Sequence, residues 1–227
     1  LKETTKDLTP PYGKYLIRLT RPFPNFDFSF IKPVRQEAVA SLGLKPGDRV
    51  LDLGCGPGGS FPFLVKAVGP TGEVVGVELS PEISINARKR IEKNNWQNVQ
   101  VIEAAAQDVE LTGKFDGVIM FAAPDVYASE AAFENILPFL NEGARIAAFG
   151  GKLSNDRVGG ISNPVLRMLY KLSFKTTPGP DYEPWEILAK HLDQLVVRDY
   201  FLGTMFLATG SLIRSSTSGS SQFAICV

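Results

Sequence analysis

The sequence holds one histidine, His191, and two cysteines, Cys55 and Cys226, in 227 residues. So sparse a set makes neither a metal-ligand cluster nor a disulfide framework, and it favours a reducing setting, with the cytoplasm as the expected location. Net charge is lacking too. With 24 basic residues against 24 acidic ones, no global basic field draws the chain to nucleic acid. No apolar run reaches the roughly 18 to 20 residues that span a bilayer, and no apolar signal segment opens the chain, so membrane contact is expected to be peripheral at most. The absent initiator Met reads as a trimmed or processed N-terminus. What is present, 44% hydrophobic and 21% charged residues, suits one globular domain with a substantial core.

The chain is organised around residues 50–59, Val50-Leu51-Asp52-Leu53-Gly54-Cys55-Gly56-Pro57-Gly58-Gly59. They read as a buried strand running into a glycine loop and a helix. Glycines let the backbone turn tightly and approach a ligand, and the helix that follows points free N–H groups at it. Gly54-x-Gly56-x-x-Gly59 matches the dinucleotide fingerprint, and Glu78 lies near the offset of about 20 residues expected for a ribose-binding acid. Asp52 argues against that ligand. A carboxylate at the strand end would face a dianionic pyrophosphate in a site of low effective dielectric, where like charges are costly. S-adenosylmethionine shares the ribose and adenine but carries a sulfonium and an ammonium group instead, and there Asp52 becomes an asset.

VLDLGCGPGG followed by VVGVELS resembles the first two motifs of the class I S-adenosylmethionine-dependent methyltransferases. The resemblance implies a Rossmann-like, doubly wound α/β sheet, mostly parallel, closed by a C-terminal antiparallel hairpin. It implies S-adenosylmethionine as cofactor, S-adenosylhomocysteine as product and no metal. The periodicity agrees. Strands are expected over 49–53, 73–78, 99–104, 115–121 and 145–149, with helices over 33–42, 58–68, 81–94 and 129–140 between them. The rhythm fails over 152–185, an insertion with one helix expected over 164–174. A helix over 185–192 and two runs, 194–202 and 204–210, hinged at Gly203, complete the hairpin. The domain is thus expected over 33–211, behind an aromatic and proline-rich N-terminal lid over 1–32 and ahead of a flexible tail over 212–227.

The same resemblance distributes the site. Asp52, Gly54, Gly56 and Gly58 form the cofactor loop, and Glu78 accepts hydrogen bonds from both ribose hydroxyls. Gln107, in an Ala106-Gln107-Asp108 run similar to that of catechol-type methyltransferases, takes the adenine amino group, with Asp108 as its rival. Ala106 offers a backbone N–H to a ring nitrogen, Leu79 apolar contact, and Phe121 the wall beside the methionine part. The acceptor is expected to be small and lipophilic, entering under the lid, with Tyr12, Tyr15 and Tyr127 as substrate residues. No general base is visible: Asp125 lies nearer the expected cleft than His191, which reads as a packing residue. The oligomeric state is open. Transfer of the aminocarboxypropyl arm, or cofactor binding without catalysis, are the alternatives.

Overall fold

The structure is a computed structural model and describes residues 31–154, 163–164, 167–168 and 183–213. Its centre is a seven-stranded sheet in the order β3-β2-β1-β4-β5-β7-β6, comprising β1 (Arg49–Leu53), β2 (Glu73–Glu78), β3 (Val99–Glu103), β4 (Phe115–Phe121), β5 (Leu140–Gly151), β6 (Leu192–Tyr200) and β7 (Met205–Leu212). Strands β1 to β5 pair in parallel, and β7 runs antiparallel to both β5 and β6. The reversal between β3 and β4 puts a crevice at the C-terminal ends of β1 and β4, where ligands bind in sheets of this kind.

Both faces of the sheet are covered. On one face Val50, Val74 and Ile119 pack against α1 (Lys32–Ser41), α2 (Phe61–Val68) and α3 (Pro81–Asn94) through Val34, Ala38, Phe61, Leu64 and Ala87. On the other, Leu51, Leu53, Val75 and Val77 meet Val126, Phe133, Ile136 and Leu188 from α4 (Pro124–Tyr127), α5 (Glu130–Ile136) and α6 (Glu186–His191). The strands alternate between these cores because successive side chains point to opposite faces. Ser80 caps α3 by accepting from Ile83 N, and Ser129 caps α5 by accepting from Ala132 N, each closing an orphan donor of the first turn.

Several boundaries differ from expectation. The helix after the glycine loop starts at Phe61, not Gly58, because Gly58 adopts φ +77° and closes a turn onto Cys55 O. The helix expected over 129–140 ends at Ile136. Pro138, which has no N–H to give, leaves a single 3-10 turn over Leu137–Phe139, and β5 already begins at Leu140, paired with Phe115. The short helix α4 was not foreseen. In the hairpin the turn is wider than a hinge at Gly203: Phe201, Leu202 and Gly203 all have positive φ, and a bulge between Asp193 and Val196 shifts the start of β6. The lid over 1–30, Tyr12 and Tyr15, most of the insertion helix and the tail from 214 lie outside the described residues. Among the described residues no helix is long and apolar enough to cross a membrane.

Candidate cofactor site

The glycine loop is pinned to the neighbouring strand before it turns. Gly54 N and Cys55 N both donate to Val77 O, at 2.8 and 3.0 Å. A Cβ on Gly54 would stand 2.6 Å from that of Ala123, so the loop meets the start of α4 with no room for a side chain. Gly56, at φ +56°, has open space where its Cβ would point. Together these leave a bare, left-handed stretch of backbone facing the crevice, as close approach to a ligand requires.

Two carboxylates flank it. Glu78, at the end of β2, accepts from Gly56 N at 3.0 Å and Ser80 N at 2.9 Å, one bond to each oxygen. Burial raises its pKa, and these two amides oppose the rise. Each oxygen retains a lone pair, so a fixed carboxylate is on offer to a diol. Asp52, 1% exposed, behaves differently. It shares the α1 side of β1 with Val50, and neither of its oxygens accepts a hydrogen bond. Burial pushes its pKa up to about 7; Arg35 pulls the other way, Glu78 adds to the rise, and the nearby Ser60 hydroxyl eases it without settling into a hydrogen bond. An unsatisfied buried carboxylate is costly. A cationic ligand group would remove that cost.

The third and fourth strands complete the crevice. Ala104 N donates to Glu78 O, which brings the exit of β3 beside Glu78. There Asn135 on α5 donates to both Ala106 O and Val109 O, at 3.1 and 3.0 Å, fixing the turn. Ala106 is buried, while Gln107 and Asp108 are exposed, and Leu79 is 38% exposed. The expected cofactor residues are therefore gathered at adjacent strand ends. Phe121 is buried rather than presented as an open wall: its ring stacks on Phe149 at 4.5 Å, and Arg35 Cζ lies 4.5 Å from its centroid on α1. The exposed residue at this exit is Ala122, at φ +61°, which donates to Phe149 O.

The substrate and base candidates divide. Tyr127 does not face an open cleft: it is 1% exposed, edge-on to Phe206 at 5.4 Å, with its hydroxyl pressed against Gly150. The reason is that α4 turns its residues into the core formed by α5 and β7. His191 stacks on Phe133 at 4.8 Å and lies 3.5 Å from Glu130, beside Leu140 at the N-terminal end of the strands. That is the end away from the glycine loop, as a packing residue requires. Asp125, half-buried on α4, has its pKa raised by burial and lies close enough to Glu78 to raise that group's pKa as well. Among the described residues no group of three metal-ligating side chains is assembled. Arg35, Ser60 and Asn135 were not singled out from sequence. For Arg35 a signal existed, since positions 35, 38, 39 and 42 share one helical face.

Residues 44–155, which span the loop and the first five strands, match a family model described as a methyltransferase domain. The domain over these residues belongs to the class I S-adenosylmethionine-dependent methyltransferases. Among its curated relatives within this superfamily are a demethylmenaquinone methyltransferase from Staphylococcus saprophyticus, 32% identical over 63% of this chain and 59% of the relative, and ribosomal RNA large subunit methyltransferase E from Syntrophobacter fumaroxidans, 40% identical over 36% of this chain and 40% of the relative. The chain spans between 28% and 59% of the length of the curated relatives it matches. A crystal structure of geranyl diphosphate C-methyltransferase from Streptomyces coelicolor, complexed with Mg2+, geranyl-S-thiolodiphosphate and S-adenosyl-L-homocysteine, has the same fold as this chain. Its TM-score is 0.62, at 16% identity over 80% of this chain and 76% of that one.

Proposed function

We propose that the protein transfers a methyl group from S-adenosylmethionine to a small, lipophilic acceptor. The observation that carries the cofactor half is Asp52: a buried carboxylate with no hydrogen-bond partner beside a bare glycine loop. Such a group suits the cofactor's ammonium and sulfonium end and repels a pyrophosphate. In this reading Glu78 takes the ribose hydroxyls, Leu79 packs on the adenine, and Ala106 and Gln107 serve its ring and amino group. When bound, the cofactor supplies an electrophilic methyl group, so the protein's own part is to orient the acceptor and exclude water. No histidine stands in the described crevice. Asp125 is the titratable group placed to take a proton on the acceptor side, and a sulfur, nitrogen or acidic-carbon nucleophile needs little more than desolvation.

The lipophilic half rests on two supports. One is the relative that methylates demethylmenaquinone. The other is the exposure of Leu202 (74%), Phe201 (45%) and Met168 (56%); the first two lie at the β6–β7 turn, beside the C-terminal end of β5. A ribosomal RNA acceptor is the second reading, favoured by the other relative and opposed by the balanced charge. Calorimetry should show S-adenosylmethionine and S-adenosylhomocysteine binding with micromolar affinity, with NAD negligible. Product masses after incubation with a quinone or prenylated phenol should then rise by one methyl group. NAD binding in preference would refute the cofactor assignment; methylation of RNA alone would refute the acceptor, and transfer of the aminocarboxypropyl arm the reaction.

A further inference from the structure

The turn between β6 and β7 is built against its own backbone preferences. Phe201, Leu202 and Gly203 follow one another at φ 50°, 57° and 74°, with Tyr200 and Met205 paired on either side. Glycine, asparagine or aspartate adopts that left-handed region at little cost, whereas a bulky side chain is strained there. Two large apolar residues stand in it nonetheless, and both face solvent: Leu202 is 74% exposed and Phe201 45%. The turn is not loose. Thr204 closes it by donating from N and Oγ1 to Phe201 O, and Lys152 N, just past β5, donates to Thr204 O at 3.0 Å. The end of β6 is tied down on both faces of the sheet. Asp199 accepts from Lys152 Nζ at 2.6 Å on one, while Tyr200 and Arg198 donate to Glu37 of α1 at 2.6 and 2.7 Å on the other.

We propose that this turn is a membrane-docking tip, with Leu202, beside Phe201, entering the surface of a neutral phospholipid bilayer. The inference goes beyond the methyl-transfer reading and does not depend on it, since docking needs neither cofactor nor acceptor. Backbone strain kept at a bulky, exposed residue points to a use for that side chain. A braced turn presents apolar surface without the entropic cost of ordering a loop on contact. The charges that β6 brings toward the tip, Arg198 and Asp199, are matched by Glu37 and Lys152, so these four side chains carry no net charge. That suits zwitterionic headgroups and gives an anionic lipid nothing extra to recognise. Position fits as well. β6 runs parallel to β5, because both are antiparallel to β7, so the tip lies at the glycine-loop end of the sheet. β6 is four places from β1, roughly 19 Å at the spacing of neighbouring strands. A docked tip thus holds the crevice near the bilayer surface, where lipophilic molecules concentrate.

Co-sedimentation with phosphatidylcholine vesicles tests the proposal. Wild type should bind them reversibly, and including phosphatidylglycerol should change binding by less than about 2-fold. Leu202→Asn should lower the partition coefficient about 10-fold, the worth of one leucine side chain leaving water. It should melt no lower than wild type, because asparagine accepts the left-handed region. Val196→Thr alters another exposed apolar residue of β6, well back from the turn, and should leave partitioning within about 2-fold of wild type. Titration of the same proteins with S-adenosylmethionine reports the cofactor reading separately. Wild type that ignores phosphatidylcholine, or binds only when phosphatidylglycerol is present, would overturn the proposal. So would a Leu202→Asn protein that partitions like wild type, or one that melts lower, which would place the leucine in the fold's own packing. Self-association in vesicle-free solution that Leu202→Asn abolishes would assign the tip to a second copy of the chain and overturn it too.

Discussion

The two ends of the sheet treat charge in opposite ways. At the N-terminal ends of the strands charges are closed among themselves: Arg49 Nε meets Glu73 at 2.6 Å, and its Nη1 donates to Thr112 O and Lys114 O. Asp116 accepts from Arg49 N and Asn141 Nδ2, and Lys190 pairs with Glu130. At the C-terminal ends three carboxylates, Asp52, Glu78 and Asp125, are drawn toward one crevice, and burial raises the pKa of each. One end is satisfied without a ligand. The other holds charge that the fold alone does not satisfy, and unsatisfied buried charge of this kind marks functional sites.

That contrast breaks most sharply at Asp52. Asp52→Asn should cut affinity for S-adenosylmethionine about 10- to 100-fold, the loss of a charge-assisted pair, while stabilising the ligand-free protein. The sign follows from linkage. The folded pKa, about 7, is above the ordinary aspartate value of 3.8, so the native state holds the proton more tightly and stability falls as pH rises between the two values. Above pH 7 the cost is complete, and Asn removes it. The variant should then be more stable than wild type by an amount on the order of 2 kcal/mol, with the difference vanishing in acid. Thermal unfolding at pH 5 and pH 8 measures this, and a variant less stable than wild type at pH 8 would contradict it.

Glu78→Ala comes next. It should weaken S-adenosylmethionine by about 10-fold, yet change binding of an analogue lacking both ribose hydroxyls by only about 2-fold, because that analogue offers the carboxylate nothing. Titration of both ligands distinguishes a ribose role from a loop-bracing one through Gly56 N, which would cost both equally. The smallest effect belongs to the closed end. Glu73→Gln removes a partly exposed ion pair and should lower stability by about 0.5 kcal/mol, with cofactor affinity unchanged. A large loss of affinity there would mean that the two ends are coupled.

Sequence patterning made most of the candidate site legible because its geometry is local. The Asp52-to-Gly59 loop lies within one strand–loop–helix unit, and Glu78 ends the next apolar run, so spacing alone brought them near each other. Elements with strong periodicity were legible for the same reason; β1, β2 and β4 lie at their expected bounds. What stayed hidden depends on tertiary choice. Leu140 joins β5 because Phe115 is there to pair with it, which no local propensity encodes. Tyr127 was expected at the cleft, but its face is decided by Phe206 on a strand about eighty residues later in the chain. Arg35 lay on the apolar face of its helix in plain spacing, yet a single cation there reads as ordinary surface charge until Gly59 and Asp52 are seen beneath it.

The central claim, that the open end of the sheet is built for a cationic amino-acid cofactor, is tested most directly by the pH dependence of S-adenosylmethionine binding in wild type and Asp52→Asn. Asp52 must be ionised to receive an ammonium, and without ligand it titrates at about 7. Wild-type affinity should therefore rise with pH below 7, by a factor approaching about 10 per unit, and level off above it, with a proton released on binding near neutrality. The variant should bind more weakly and without that rise. A wild-type affinity flat across the range, or the same slope in both proteins, would contradict the account.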